Sequence, residues 1–143
     1  MDDDYAPRPI AGWFTPAAVA SLLFMALGCA TYLMHVFTDP ASVPIDRRAA
    51  LEAEPVWVTG AYAIAVWAGL AGAILLLMKR KLAEPALLLS VVAVLIWLAG
   101  LLLVAPLREA ISANDLVVAI IVAALTWTIF WFARHSRQRR WLR

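Results

Sequence analysis

The stretch PALLLSVVAVLIWLAGLLLVAPL, residues 85–107, carries no Asp, Glu, Lys or Arg and is dense in Leu, Val and Ile. About 20 such residues in a helix match the hydrocarbon thickness of a bilayer. A helix on a soluble core shows a polar stripe toward water, and this one has none. Working outward, three more charge-free stretches appear: Pro9 to Thr38, Pro55 to Met78 and Leu116 to Ala133. Together they predict an all-α membrane protein, one bundle of four transmembrane helices with spans near 14–37, 55–78, 85–106 and 115–133. Thr15-Pro16, Pro55, Pro85 and Asn114-Asp115 stand where the four helices should start, since proline in a first turn costs no hydrogen bond.

Composition agrees. Of 143 residues 64% are hydrophobic and 15% charged, whereas a soluble domain is about half apolar and a quarter charged. Cys29 is the sole cysteine, so no internal disulfide forms, and no Cys/His cluster suggests a structural metal. The sequence Ala26-Leu27-Gly28-Cys29 loosely resembles a lipidation site, but the apolar run continues past it and favours an inert buried thiol. A formal net charge of +2 implies no nucleic-acid partner.

Basic residues fix the predicted threading. Arg8, Lys79, Arg80, Lys81, Arg134, Arg137, Arg139, Arg140 and Arg143 fall on one side, against Arg47, Arg48 and Arg108 on the other. Positive residues remain cytoplasmic, so both termini are expected inside. The acidic start, Asp2-Asp3-Asp4, argues against a secretory leader. Residues 134–143 form an expected basic cytoplasmic tail, which with Lys79, Arg80 and Lys81 suits anionic headgroups. On the opposite side, residues 42–55 read as a short interfacial helix between prolines, with Arg48 and Glu52 one turn apart.

In the second span Ala61, Ala65, Gly69 and Ala73 recur every four residues, with Gly72 beside them. Such a stripe lets another helix approach closely, which profits helix contact and not lipid. Its partner is either another helix of the bundle or another molecule. The third span, rich in Leu and Val, is expected to face lipid or a partner. Trp13, Trp57, Trp131 and Trp141 lie where headgroups belong. Trp67, Trp97 and Trp127 lie deep, as packing wedges or as walls for a lipid, quinone or pigment at a partner interface.

Chemistry is scarce. Apart from Asp115 at the start of the fourth, the spans hold no Asp, Glu, Lys or Arg, and the polar candidates reduce to Thr31, Tyr32, His35, Thr59, Tyr62, Ser90, Thr126 and Thr128. Ser and Thr in such helices bond to their own preceding turn. Gly28, Tyr32 and His35 share one helical face, and His35 is within reach of Asp39, Glu52 or Glu54. His135 belongs to the opposite membrane face, so the two histidines cannot share a haem. No nucleophile and base are paired, and Glu52 and Glu54 diverge on a helix, so no enzyme is expected.

The features from Pro44 to Ser90 carry a resemblance: Pro44, Arg48, Ala53-Glu54-Pro55-Val56-Trp57, the run from Ala61 to Val66, Gly69, Gly72, Leu75-Leu76-Leu77, Lys79-Arg80, Ala83, Pro85 and Ser90. Their order resembles a group of small bacterial four-helix inner-membrane proteins automatically labelled "sugar transporter" or DoxX-like. The resemblance covers about a third of the chain and is architectural. In that family the third helix often carries Gly and then Gln after the Ser, where this chain has Ala93 and Trp97.

Two functions are expected. The first is a non-enzymatic accessory or assembly subunit of a larger respiratory or photosynthetic membrane complex, which accounts for the absence of buried charge. The alternative is a small-solute, sugar-like transporter acting as an oligomer, with Thr31, Tyr32, His35, Trp57 and Tyr62 as binding residues. Neither requires an intrinsic cofactor.

Overall fold

The computed structural model describes residues 9–143, and every regular element in them is helical. Arg8 and the acidic residues Asp2, Asp3 and Asp4 lie outside the described residues. Four helices are long and apolar enough to cross a membrane: α1 (Phe14–Phe37), α3 (Val56–Leu77), α4 (Ala83–Leu103) and α6 (Ala113–Gln138). Two short helices, α2 (Ile45–Ala53) and α5 (Ala105–Ala110), lie in the connections at one end. The chain is a multi-pass helical membrane protein.

The ends of the helices follow from local chemistry. Pro16 and Pro85 fall in first turns, at positions whose N–H groups have no acceptor within the helix. The third span stops at Leu103, short of the expected 106, because Pro106 has no N–H to donate back; Pro106 instead opens α5. The fourth begins on Ser112, not on Asn114-Asp115. Ser112 Oγ accepts from the Asp115 N–H at 3.2 Å, while Asp115 Oδ2 accepts from the Ser112 N–H at 3.3 Å. It also runs past the expected end at 133 to Gln138, since Arg134 and Arg137 are good helix formers that sit favourably at the negative end of the dipole.

The supposed tail is therefore structured. Both α3 and α6 end in the same motif, with Lys79 and Arg140 at φ 58°. Arg80 N–H donates to the Leu75 carbonyl at 2.8 Å and Trp141 N–H to the Ser136 carbonyl at 2.9 Å, which turns the chain sharply. Beyond the turn Arg143 N–H donates to the Lys79 carbonyl at 2.6 Å and Lys81 N–H to the Arg143 carbonyl at 2.8 Å. Trp141, expected among headgroups, is buried with Leu142. Its ring meets Phe14 edge-on at 6.0 Å and Trp13 at 5.6 Å, and Phe14 packs on Phe132 at 5.5 Å. These aromatics close one end of the bundle between α1 and α6.

The spans pack in the order α1, α3, α4, α6, with α3 and α4 central. The small-residue stripe of α3 makes this packing: Ala61, Ala65, Gly69, Gly72 and Ala73 are all buried. A Cβ at Gly69 would stand 2.6 Å from Met25 Sδ of α1, and one at Gly72 would stand 2.6 Å from Leu87 Cγ of α4. The stripe also bares backbone carbonyls. Ser90 Oγ donates to the Ala65 carbonyl at 2.6 Å and Cys29 Sγ to that of Val66 at 3.3 Å. The Leu- and Val-rich α4 is divided: Leu87, Val91 and Val94 are buried, whereas Leu88, Leu89, Val92, Leu95 and Ile96 face outward.

Candidate functional site

Away from the aromatic end, α1 and α6 part, and a cavity of about 670 Å³ opens between them with α3 and α4 as its back wall. Phe24, Met25, Gly28 and Thr31 line it from α1, and Val118, Ala119, Val122 and Thr126 from α6. Its walls are mainly apolar. Polar groups gather toward the end covered by α2 and α5, where His35, Glu54, Tyr62 and Trp97 lie, with Arg47 and Asp115 at the rim.

Each polar group is placed by its helix. His35 sits in the last turn of α1, and Glu54 ends α2 just before Pro55 directs the chain into α3. Of the acidic partners within reach of His35, Glu54 is the one engaged: Nε2 to Oε2 is 2.9 Å. Its other oxygen accepts from Thr59 Oγ1 at 3.0 Å. The carboxylate side chain is only 10% exposed against 33% for the imidazole, so the pair lies at a partly dry site. Burial pushes the Glu54 carboxyl up, but the His35 hydrogen bond, the charge of that ring and the Thr59 hydroxyl outweigh it and hold the group below the ordinary carboxylate range.

A chain of rings continues the polar end. Tyr62 meets Tyr32 edge-on at 5.4 Å, stacks on Trp97 at 5.2 Å and faces His35 at 6.1 Å. The structure thus brings Tyr32 and His35 of α1, Tyr62 of α3 and Trp97 of α4 together. Of the three deep indoles, Trp97 lines the cleft. Trp67 and Trp127 do not: they point away from the bundle, 47% and 55% exposed. Trp57 covers Gly100, with ring carbons 3.1 and 3.2 Å from where a Cβ would stand, and is otherwise exposed.

Arg48 stands one turn from Glu52 on α2, and it donates through Nε to the Pro40 carbonyl at 2.9 Å and through Nη2 to that of Ala41 at 3.1 Å. It ties α2 to the turn after α1. The basic residues Lys79, Arg80, Lys81, Arg134, Arg137, Arg139 and Arg140 cluster at the opposite, aromatic end, where Arg137 Nη1 contacts Glu84 Oε2 at 2.6 Å. His135 lies there too, stacked on Trp131 at 5.4 Å, so the two histidines occupy opposite ends of the bundle.

Sequence reasoning missed the cleft itself, and with it Arg47, Asp115, Val122 and Thr126 as lining residues. No local signal marks them, because the cavity arises from two helices distant in sequence failing to meet. Among the described residues no group of three or more His, Cys, Asp or Glu is placed to hold a metal ion. Comparison with protein-family models, with curated proteins and with solved structures gives no match.

Proposed function

We propose that the protein is a non-enzymatic membrane protein that takes a small molecule from the bilayer into the cleft between α1 and α6, the step that a small-solute transporter of this size would use. The observation that carries this reading is the cleft: about 670 Å³, apolar along its length, with hydrogen-bonding groups gathered at one end. Ligand sites are concave, mostly apolar, about 300–1,000 Å³ and equipped with a few convergent polar groups. The cleft does not run the length of the bundle: its lining stops short of the buried cluster of Phe14, Phe132, Trp141 and Leu142 that fills the other end. Passage through the membrane would therefore need the aromatic closure to open, or a second copy to complete the path. The resemblance to the four-helix family labelled "sugar transporter" agrees with this reading, although the apolar lining favours an amphipathic solute over a sugar.

In this reading both termini face the cytoplasm of a bacterial inner membrane, where the basic end meets anionic headgroups. The short helices α2 and α5 then lie at the opposite interface, above the polar end of the cleft. Native mass spectrometry of the full chain released from its own membranes tests the reading. Wild type should carry one small adduct, and Val122→Phe, which narrows the cleft from α6, should carry none. An adduct equally frequent in both would overturn it.

One observation favours the second reading, an accessory subunit of a larger membrane complex. Trp67 and Trp127 stand near the middle of α3 and α6 and face outward. Among the described residues neither indole N–H has a hydrogen-bond acceptor, and at that depth lipid offers none. A partner helix would.

A further inference from the structure

The groups around the polar end of the cleft differ in what bonding capacity remains to them, and that difference specifies an occupant. Both Glu54 oxygens are engaged, by His35 and Thr59. The hydroxyls of Thr31, Ser90 and Thr126 donate to backbone carbonyls at 2.9, 2.6 and 2.8 Å. By contrast, among the described residues the Tyr62 hydroxyl and the Trp97 N–H have no acceptor. Nor are they sealed in, for no fully buried side-chain nitrogen or oxygen among those residues lacks a partner. Two accessible, uncharged donors therefore remain unpaired on residues that line the cleft.

Charge is balanced at this end. His35 faces Glu54 within the cleft, and the rim carries Arg47 with Asp115, one of each sign. Deeper, toward Met25, Ala65, Val94 and Val122, no lining side chain is ionisable. Met25 lies on α1 about 15 Å below His35 at 1.5 Å per residue. Inside the cleft a charged head would find no unshared counter-ion, since Arg47, which makes no ion pair among the described residues, stands exposed at the rim beside Asp115, and the head's desolvation there would go uncompensated.

We infer that the cleft takes an uncharged, single-chain amphiphile whose head carries carbonyl or hydroxyl oxygens. The head accepts from Tyr62 and Trp97, and the chain runs toward Met25 and Val94. Prenylated quinones, prenyl alcohols and monoacylglycerols share this chemistry. The inference rests on the cleft being a binding site.

The test uses the full chain in phosphatidylcholine nanodiscs, titrated with decylubiquinone, which quenches indole fluorescence, and challenged with competitors. Saturable quenching is expected, reversed by monoolein and at least tenfold less effectively by dodecyltrimethylammonium or dodecyl phosphate. Tyr62→Phe should weaken decylubiquinone binding up to about tenfold, the worth of one hydrogen bond, while Val122→Phe should abolish the saturable component. If the charged amphiphiles compete as well as monoolein, or Tyr62→Phe binds like wild type, the assigned ligand class is wrong although the cleft still binds. If no probe gives saturable quenching, or Val122→Phe leaves it intact, the cleft is not a binding site and both claims fall.

Discussion

Replacing Gly72 by alanine tests whether the small-residue stripe sets the spacing of α3 and α4. The added Cβ would stand 2.6 Å from Leu87 Cγ, 2.9 Å from its Cδ2 and 3.1 Å from its backbone N. Leu87 is fully buried. Its Cγ is a branch point and its N belongs to the helix, so neither retreats by swinging a flexible end. The helices must part or Leu87 must leave its rotamer, and overpacking of this kind costs about 1–3 kcal/mol. Alanine also gains about 0.5–1 kcal/mol over glycine in a helix interior. Gly28 supplies the control, because a Cβ there meets only Val66 Cγ1, at an ordinary 3.6 Å. The propensity gain is common to both substitutions, so Gly72→Ala should be less stable than Gly28→Ala by about 1–3 kcal/mol. Unfolding of the full chain in mixed micelles of mild detergent and dodecyl sulfate, followed by Trp fluorescence, reads this difference. Coincident midpoints for the two variants would refute the packing argument.

Trp141→Ala should destabilise the aromatic end by about 3 kcal/mol and make the bonds after Arg139 and Arg140 sensitive to trypsin; limited proteolysis and the same titration check it. Glu54 lies below the ordinary carboxylate value, so its contribution is complete above the unfolded carboxyl's pKa of about 4.3 and is lost as pH falls through the lower folded value. Stability of wild type should therefore drop on the acid side more steeply than that of Glu54→Gln, as unfolding midpoints between about pH 3 and pH 6 will show. If the outward indoles meet a partner, Trp67→Leu with Trp127→Leu should release the protein from a larger assembly on native gels while the isolated protein unfolds as before.

Much of this architecture is legible in the sequence because the bilayer imposes it. Uncharged runs between prolines and basic clusters locate the four spans to within a few residues. The helix ends depart from the hydropathy boundaries where a local bond outranks them: Pro106 ends α4 early, Ser112 rather than Asn114-Asp115 is the cap, and Arg134 to Gln138 continue α6 into polar sequence. The stripe from Ala61 to Ala73 announced a contact because small side chains at spacing four have few other uses. The site was half legible. Tyr32 and His35 share a face, and Glu54 was among the possible acids, but choosing it over Asp39 and Glu52 required knowing how α2 turns into α3. The pairing of Tyr62 with Trp97 and the gap between α1 and α6 are long-range consequences of packing, which no window of sequence contains. The return of Trp141 to Trp13 and Phe14 is another.

The central claim is that a molecule occupies the space between α1 and α6. Photo-crosslinking with a diazirine-bearing monoacylglycerol in membranes, followed by peptide mapping, tests it most directly. Labels should concentrate on the stretch from Met25 to Thr31 of α1 and from Ala119 to Thr126 of α6, and should disappear in Val122→Phe. Labels confined to the outward faces around Trp67 and Trp127, unchanged by Val122→Phe, would contradict it.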